Sequence, residues 1–499
     1  MLLSGGMKRL PALALLMVWL LCGAACSDAV LVPDGGNGFG ELDGTIRGSP
    51  YEAGTPLPDG AADAALDPDA EAETDGDWDG ATGPDATAGG DGGDGGDLDG
   101  GADGSAVDTG PKVCPADLFG ASRAAPDLKF GDTYAGAIQY DCDAARHPII
   151  LAKGQHVRVK LHGPNLLPGL HLYGPGIRGL QLEDVTKARG ATASVEFTAD
   201  LPGEYFAVVD QSGRHGTSAY EVSLECLEQC ALRATRYPIV MVHGFSGFHN
   251  IGPIDYFYNV VNTIAPQGYD LHIAVLDAYN STEKRGPELA VVIDQVLAET
   301  FAYKVNIIAH SQGGVDSRFV ISELGYGDRI GLLNMIATPH HGTQLADVII
   351  NDPTGIGKPI LDAMLAVMGA VLDGPEAEQN AHDSFVTLST AYMEEFNKTH
   401  LDDPRVAYKS WAGRTCEVWE SNCPNPVNAY LVVTYELLKS QAGENDAIVP
   451  TDSAKWTGFQ GVLDADHFDE VGQLAGMTGG FDHLKFYQSV VDGTAADGY

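Results

Sequence analysis

The chain has 499 residues, of which 44% are hydrophobic, and its formal net charge is -40. Proteins that bind nucleic acid neutralise phosphates with clustered Lys and Arg. The charge and the lack of any basic stripe in the sequence therefore exclude nucleic acid as an expected partner. The length allows several domains, each large enough to bury a core.

The chain begins with the pattern of a secretory signal. The basic pair Lys8-Arg9 precedes the apolar run Leu10–Leu21, and the small residues Gly23-Ala24-Ala25 follow. This order is typical of a cleaved export signal, and the apolar run is shorter than the roughly 20 residues of a membrane-spanning helix. We expect residues 1–25 to be removed from an exported protein, either secreted or anchored at the bacterial cell surface or outer membrane.

Cys26 follows these small residues directly and resembles the acylated cysteine of a bacterial lipoprotein signal. Gly23 stands where the lipoprotein pattern usually has Leu, so the pattern is incomplete. Two interpretations stay open. Cys26 is lipidated and supplies an anchor, or the signal is cleaved after Ala25 in the ordinary way.

Residues 27–112 are dominated by Asp, Gly, Ala and Pro, as in the run Asp91–Gly100. So few apolar side chains cannot offset the entropy lost on ordering, and like charges extend a chain. The composition predicts a disordered acidic linker. A calcium-binding repeat is the weaker interpretation, because no nonapeptide repeat is kept.

Residues 113–230 contain short alternating runs, such as His156–Leu161 and Ala193–Phe197, separated by Pro and Gly turns. Alternation of this kind predicts a small antiparallel β-sandwich. Gly203–Asp210 and Ser218–Leu224 resemble the bacterial pre-peptidase C-terminal type of domain. The segment shows no catalytic constellation, so we expect a spacer or a binding module.

Residues 236–499 change to apolar runs that alternate with helical stretches. Pro238–His243 and Lys304–Ala309 have the composition of buried strands, and Pro287–Thr300 is predicted to be a helix with Pro287 in its first turn. This alternation predicts an α/β domain, in which helices cover both faces of a mostly parallel sheet.

The chain has eight cysteines, of which one lies within the signal segment and one directly after it. The even remainder in an exported chain suggests disulfides. Cys416 and Cys423 form the most economical local pair. The other four fall in one segment, and their pairing stays open: Cys114, Cys142, Cys226 and Cys230.

The strongest motif is Ala309-His-Ser-Gln-Gly313, which follows an apolar strand and precedes a helix-like run. It matches the nucleophile elbow G-x-S-x-G with Ala in place of the first Gly. Small residues suit this position because the turn is sharp and the strand and helix pack closely. The motif predicts Ser311 as a nucleophile, and the alternative is a serine in an ordinary turn.

Four motifs in the same order resemble the true lipases of Pseudomonas and Burkholderia, which have the α/β-hydrolase fold. The four are Arg236–Phe248, Lys304–Gly314, Ala337–Thr343 and His467–Val471. The similarity spans about residues 236–487. It implies an α/β-hydrolase domain that cleaves carboxylic esters with a serine, an acid and a histidine.

Asp446 is the predicted acid, because hydrolases of this fold carry Ser, acid and His in that chain order. It lies in Asn445-Asp446-Ala-Ile-Val, after a predicted strand at Tyr430–Tyr435. Asp446 would hold the imidazole in one tautomer and stabilise its protonated form. The alternative is an Asp in a turn.

His467 is the predicted general base, which takes the Ser311 proton and returns it to the leaving alcohol. It lies 21 residues beyond Asp446 (467 − 446). His483 is the rival. It falls in a predicted terminal helix, where a surface histidine is the plainer interpretation.

Two backbone N–H groups are predicted to bind the oxyanion. Gln312 follows the nucleophile, and Phe245 follows His243-Gly244 as the second donor of the resembling lipases does. His243 itself is expected to be structural rather than catalytic.

Residues 343–398 occupy the place where those lipases carry a mobile lid. Apolar residues recur here at helical spacing: Leu361, Met364, Leu365, Met368 and Leu372. A lid over an acyl pocket would have this pattern, and so would an ordinary buried helix.

The resemblance also implies a structural calcium ion near the catalytic histidine. Its ligands would be Asp469, Gln473 and the backbone carbonyl of Met477, with Asn425 where the family has a carboxylate. An amide oxygen carries no charge, which weakens such a site, and Asp469 as a solvated residue is the alternative. No cofactor is needed for the chemistry.

The leading hypothesis is a serine carboxylic ester hydrolase that acts on a lipid ester such as triacylglycerol at a lipid–water interface. One alternative keeps the triad and changes the substrate to short-chain esters or a polyester. A hypothesis of another class is a surface binding protein on a hydrolase scaffold. Whether a dedicated folding chaperone takes part stays open, and nothing in the sequence indicates an oligomer.

Overall fold

In the computed structural model, the predicted signal 1–25, Cys26 and the predicted linker 27–112 lie outside the described residues. No helix in the described part of the chain is long and apolar enough to cross a membrane. The structure describes residues 118–139, 142–175, 181–186, 190–211, 217–247, 250–251, 254–351, 355, 357–359, 361–362, 374–473 and 475–499.

Two sheets form the first domain of the described chain. Their strands lie in the orders β1-β3-β8-β5-β6 and β2-β9-β4-β7. All their pairs are antiparallel except β1 with β3. The elements are α1 (Leu118–Ala121), β1 (Arg123–Ala124), β2 (Thr133–Ile138), β3 (Ala144–Leu151), β4 (His156–His162), β5 (Pro168–Tyr173), β6 (Gln181–Thr186), β7 (Ala193–Thr198), β8 (Gly203–Gln211) and β9 (Ser218–Glu228).

Alternating side chains of both sheets fill one shared core. In β4, Val157, Val159 and Leu161 are buried, whereas the residues between them are partly exposed. Successive side chains of a strand point to opposite faces, so the apolar set of β4 faces the other sheet. The same cluster contains Ile149 of β3 and Leu170 of β5.

The second domain contains both strands and α-helices within the described residues. The strands are β10 (Ile239–Val242), β11 (Asn250–Ile251), β12 (Ile254–Asp255), β13 (Leu271–Ala274), β14 (Val305–His310), β15 (Ile330–Ile336), β16 (Ala407–Arg414) and β17 (Phe459–Asp464). The helices are α2 (Val260–Ile264), α3 (Thr282–Thr300), α4 (Gln312–Ser322), α5 (Gln344–Ile350), α6 (Gly374–Thr387), α7 (Thr390–Thr399), α8 (Val432–Gln441) and α9 (His483–Ala496).

Six of these strands form one parallel sheet in the order β13-β10-β14-β15-β16-β17. Val240 and Val242 of β10 pack with residues of α3 and α4 on one face. Ile239 and Met241 pack with residues of α2 and α9 on the other. Burial on both faces explains why these strands are apolar without alternation, and it confirms the predicted α/β class.

Arg236 joins the two domains. Its side chain forms ion pairs with Asp127, at 2.6 Å, and with Glu204 of β8. Its backbone N–H donates to the carbonyl of Tyr499 at 2.8 Å. The sandwich, the start of β10 and the end of the chain therefore meet at one residue.

The helix that was predicted from Pro287 begins five residues earlier (287 − 282), at Thr282. Pro287 lies in the second turn, where it removes one backbone hydrogen bond. The added turn contains Arg285, which is fully buried and bonded to Asp316. This tertiary contact stabilises a helical turn that local propensity alone does not favour.

The strand predicted at Tyr430–Tyr435 is wrong, because this segment leads into helix α8. Its β-branched residues Val432, Val433 and Thr434 favour a strand by propensity. However, Leu431, Tyr435 and Leu438 follow each other at spacings of four and three residues and are all buried. That spacing places them on one helix face, and burial of this face outweighs the propensity.

Two disulfides are defined among the described residues. Cys416 pairs with Cys423, as predicted, and Cys226 pairs with Cys230. Cys142 is also disulfide-bonded, and Cys114 lies outside the described residues.

Candidate active site

Ser311 lies on a sharp turn between β14 and α4. Its backbone has φ 56° and ψ −128°, in a region that residues other than Gly rarely adopt. A Cβ atom on Gly313 would lie 2.7 Å from the Val242 carbonyl oxygen, and one on Gly314 would lie 2.0 Å from Thr338 Oγ1. The turn therefore requires glycine at position 313, the last position of the elbow motif, and the close approach of Thr338 also favours glycine at the next position, 314.

The structure brings Ser311, His467 and Asp446 into one line of hydrogen bonds. Ser311 Oγ lies 2.9 Å from His467 Nε2, and His467 Nδ1 lies 2.9 Å from Asp446 Oδ2. All three residues are buried. If Nδ1 donates its proton to the carboxylate, Nε2 is free to accept the proton of Ser311.

Asp446 is held by the loop that carries it. Its Oδ1 accepts hydrogen bonds from the backbone N–H groups of Ile448, at 2.8 Å, and Val449, at 2.6 Å. Ala447, which lies between Asp446 and Ile448, has φ 81°, so the chain turns tightly around the carboxylate. Oδ2 is left to face His467. Asp446 reaches this place from a loop after α8, not from the end of a strand.

The predicted oxyanion donors lie at the carboxyl ends of two paired strands, β10 and β14. Gln312 is the first residue of α4, so its N–H has no acceptor within the helix. Within the described residues, the N–H of Phe245 donates to no protein acceptor. A Cβ atom on Gly244 would lie 2.7 Å from Ser311 Cβ, so this loop passes directly beside the nucleophile.

An apolar cluster borders the oxyanion loop. The Phe245 ring packs against Phe385 of α6, with ring centroids 4.8 Å apart, and against Tyr279 at 5.3 Å. Buried Phe319 of α4 and partly buried Leu361 belong to the same cluster. An apolar wall beside an oxyanion site is suited to an acyl chain.

The predicted lid region 343–398 is described in part. Helices α5 and α6 and most of α7 fall within it. Of the five apolar residues predicted to form a stripe, Leu361 is described and packs on this cluster. The others lie outside the described residues: Met364, Leu365, Met368 and Leu372.

Three buried residues behind the site were missed by the sequence analysis. The Tyr256 hydroxyl lies 2.8 Å from His310 Nδ1, and His310 Nε2 lies 3.0 Å from Glu470 Oε2. Glu470 Oε2 is in turn 3.8 Å from His467 Nδ1. Burial and the nearby Asp446 raise the pKa of Glu470 well above its usual value, which favours the neutral form of this carboxyl group.

His310, His467 and Glu470 also present their ligand atoms within 4.8 Å of one another. His467 Nε2 already faces Ser311 Oγ. The described geometry therefore assigns this histidine to the serine rather than to a metal.

His483 is not the partner of Ser311. It is the first residue of α9, and its Nε2 lies 2.9 Å from the Tyr258 carbonyl oxygen. The expected surface position is wrong, since the side chain is buried. A single hydrogen bond to the backbone explains its burial without a catalytic role.

The residues assigned to calcium by the resemblance do not fit a cation. Asn425 and Asn428 each donate an Nδ2–H to Asp469, at 2.7 and 3.0 Å, and Asn425 Oδ1 accepts from the Gly480 N–H. Gln473 instead donates to the carbonyls of Asp255 and Tyr256. N–H donors thus occupy the carboxylate oxygens that would ligate a metal.

Asp469 is not a solvated residue either. It is buried beside Asp466, and burial together with that charge raises its pKa to about 7. The side chain of Met477 is exposed, and the expected contact of its backbone carbonyl with a metal ion stays a prediction.

No family model matches the chain. A triacylglycerol lipase from Pseudarthrobacter phenanthrenivorans is 29% identical over 300 residues, which cover 49% of this chain and 92% of that protein. One from Burkholderia plantarii is 29% identical, covering 49% of this chain and 82% of that protein. One from Pseudomonas fragi is 28% identical over 264 residues, covering 48% and 89%.

Solved structures are similar at lower identity. The mature Bacillus licheniformis lipase BlEst2 is 21% identical with a TM-score of 0.39, covering 51% of this chain and 91% of that chain. The pre-peptidase C-terminal domain of a Bacillus anthracis collagenase covers 21% of this chain and 94% of that chain, with 15% identity and a TM-score of 0.18.

The sequence matches thus confirm that about half of the chain resembles the triacylglycerol lipases of Burkholderia and Pseudomonas, and they support a carboxylic ester hydrolase.

Proposed function

We propose that the protein hydrolyses carboxylic esters of lipids, triacylglycerol foremost, through an acyl-enzyme on Ser311. One observation carries the proposal: Ser311 Oγ lies 2.9 Å from His467 Nε2, and Asp446 Oδ2 lies 2.9 Å from the other ring nitrogen. The similarity to triacylglycerol lipases supports the choice of substrate.

Acylation begins when Ser311 Oγ attacks the ester carbonyl carbon and His467 Nε2 accepts the hydroxyl proton. Asp446 stabilises the resulting imidazolium and keeps the ring in one orientation. The carbonyl electrons move to the oxygen, and the N–H groups of Phe245 and Gln312 donate to this oxyanion. When the tetrahedral intermediate collapses, the C–O bond breaks and His467 protonates the leaving alcohol.

Deacylation repeats these roles with water. His467 takes a proton from the water as its oxygen attacks the acyl carbon, and the same N–H groups bind the second oxyanion. Ser311 leaves with the proton, and the carboxylic acid is released. Every proton moves between substrate, water and protein side chains, so the proposed chemistry routes no step through a metal.

The apolar cluster around Phe245 supports an acyl chain rather than a charged substituent. Phe385, Phe319 and Leu388 are buried in this cluster. Burial of one methylene is worth about 0.8 kcal/mol, so turnover of longer acyl chains at equal concentration should rise while the chain still fits.

The experiment is hydrolysis of p-nitrophenyl esters from acetate to palmitate. Ser311→Ala should lower turnover on the order of a millionfold, as in other triads. Ser322→Ala is the matched control, because this serine lies on the same helix and bonds only to the backbone of Arg318. Undiminished activity in Ser311→Ala would overturn the proposal.

The chain-length profile separates the substrate alternatives. Activity that rises toward palmitate supports a lipase, and activity confined to acetate supports a short-chain esterase. A polyester film would test the depolymerase alternative. A surface binding protein on a hydrolase scaffold would hydrolyse none of these substrates.

The N-terminal segments support localisation rather than chemistry. In this proposal residues 1–25 direct export, residues 27–112 tether the catalytic domain, and residues 113–230 form a β-sandwich spacer or binding module. Cys26 anchors the chain if it is acylated, and mass spectrometry of the exported protein would detect the acyl groups.

A further inference from the structure

The oxyanion loop contains two consecutive peptide groups, His243–Gly244 and Gly244–Phe245. Together they present two carbonyls and two N–H groups. The side chains of Arg285, Tyr256 and His243 hold three of these four groups. The fourth is the N–H of Phe245, which is the proposed oxyanion donor.

The first peptide is held at both ends. Arg285 Nη2 donates to the His243 carbonyl at 2.8 Å, and the Gly244 N–H donates to the Tyr256 hydroxyl at 3.1 Å. Arg285 also donates to Asp316 on the nucleophile helix, at 2.8 Å. The guanidinium therefore fixes this loop relative to the helix that begins at Ser311.

The second peptide is held through its carbonyl. His243 Nδ1 lies 2.9 Å from the Gly244 carbonyl oxygen, and the Gly247 N–H donates to the same oxygen at 3.2 Å. In a trans peptide the C=O and N–H groups point in opposite directions. A carbonyl directed at the His243 ring therefore turns the Phe245 N–H the other way.

The surroundings of His243 define its tautomer. The Leu276 N–H donates to His243 Nε2 at 3.1 Å, so Nε2 is the acceptor and Nδ1 carries the proton. Burial and the neighbouring Arg285 lower the pKa of His243 to about 3, so the ring is neutral in the working range of the enzyme. A Cβ atom on Gly247 would lie 1.9 Å from Nδ1, so the turn closes tightly onto the ring.

We propose that His243 is a positioning residue: its Nδ1–H holds the Gly244 carbonyl and thereby directs the Phe245 N–H at the oxyanion of the reacting ester. The hydrogen bond to the carbonyl also polarises the peptide and strengthens its N–H as a donor. This inference rests on the proposed function, since it concerns the same oxyanion.

Two variants test the roles of the two ring nitrogens of His243 separately. In His243→Asn the amide Nδ2 stands near the place of Nδ1 and can donate to the Gly244 carbonyl, but the acceptor for Leu276 is lost. In His243→Gln the longer side chain reaches toward Leu276, and the donor to the carbonyl is lost. A ring that only fills the core predicts similar effects of both variants.

The experiment measures kcat, KM and melting temperature of the full chain, with wild type and Ser311→Ala in parallel. His243→Gln should lower kcat by about 10²–10³-fold, the cost of losing one oxyanion donor, at nearly unchanged KM. His243→Asn should keep most of kcat and lose melting temperature instead, because the Leu276 N–H is left buried without a partner. A boronic acid that forms a tetrahedral adduct with Ser311 should lose affinity for His243→Gln by a similar factor.

The outcomes distinguish a failure of the positioning role from a failure of the proposed function. Wild-type kcat and boronate affinity in His243→Gln would overturn the positioning role and leave the proposed function intact. Equal kcat losses in both variants, in proportion to their melting temperatures, would also overturn it. Wild-type protein without Ser311-dependent hydrolysis would overturn the proposed function and this inference with it.

Discussion

Each domain of the described chain buries a histidine that uses both ring nitrogens, and the two histidines do very different things. In the sandwich, His147 Nδ1 lies 2.8 Å from the Pro126 carbonyl and Nε2 lies 2.9 Å from the Tyr220 hydroxyl. In the α/β domain, His467 bonds to Asp446 and Ser311. Burial and paired nitrogens therefore do not by themselves mark an active site.

The difference lies in the partners. Tyr220 is part of a regular strand, whereas Ser311 is held at φ 56° at the start of a helix. The His147 proton faces a neutral carbonyl, whereas the His467 proton faces a carboxylate that can stabilise a positive ring. His467 is a candidate general base because one ring nitrogen faces the hydroxyl of a serine with a strained backbone and the other faces a carboxylate.

The strongest test of this comparison removes the charge of the acid. Asp446→Asn should lower kcat about 10⁴-fold, because the amide no longer holds His467 in the tautomer that accepts from Ser311. Glu470→Gln is the matched variant, since the amide has the size of the carboxyl group and can keep the contact with His310. Glu470→Gln should lower kcat much less than Asp446→Asn does. Steady-state hydrolysis of a soluble ester measures kcat for both variants.

If Glu470→Gln lost as much activity as Asp446→Asn, the role of orienting His467 could not be assigned to Asp446 alone.

A second test concerns the buried ion pair of Arg285 with Asp316. Arg285→Met should destabilise the fold by about 3–5 kcal/mol, because Asp316 is left buried without its partner. Adding Asp316→Leu should recover much of the stability, since a buried ion pair can be replaced by apolar residues. The kcat of the double variant should stay low, because the His243 carbonyl is no longer held.

Chemical denaturation and ester hydrolysis on the same samples measure the two effects. Recovery of both stability and kcat in the double variant would restrict Arg285 to a structural role.

A third test addresses the sandwich histidine. Burial lowers the pKa of His147 below its ordinary value of about 6.5. Just below pH 6.5, the histidine therefore takes up a proton more readily in the unfolded chain than in the folded protein. The free energy of unfolding should therefore fall as the pH drops below about 6.5. In His147→Gln this slope should be shallower and kcat unchanged. A loss of kcat would place His147 in the catalytic machinery.

The smallest expected effect is that of metal removal. EDTA should leave the melting temperature and kcat unchanged, because Asn425 and Asn428 already donate to the Asp469 carboxylate next to the catalytic loop. Differential scanning fluorimetry with EDTA and with added calcium measures this. A fall in melting temperature that calcium reverses would show that these amides turn to bind a cation.

Local motifs predicted much of the site. The elbow around Ser311 requires small residues at defined positions, and the five consecutive residues Ala309–Gly313 have them. Asp446 was assigned from chain order even though the preceding segment is a helix and not a strand. The wrong strand does not affect the assignment of Asp446, because its carboxylate is held within its own loop. The backbone N–H groups of Ile448 and Val449 donate to it.

Long-range contacts were beyond the sequence analysis. Arg285 and Asp316 are 31 residues apart, and neither lies in a motif that implies the other. Glu470 is the exception, because it stands three residues beyond His467 in the same segment. A second acid so close to a predicted general base is a signal that could have been used.

The most direct test of the central claim is the site at which a fluorophosphonate attaches, determined by mass spectrometry of the digested protein. We predict a single adduct on Ser311 in the wild type, none in Ser311→Ala, and slow labelling in His467→Ala. An adduct on another residue, or no adduct on an active protein, would contradict the assignment of Ser311 as the nucleophile.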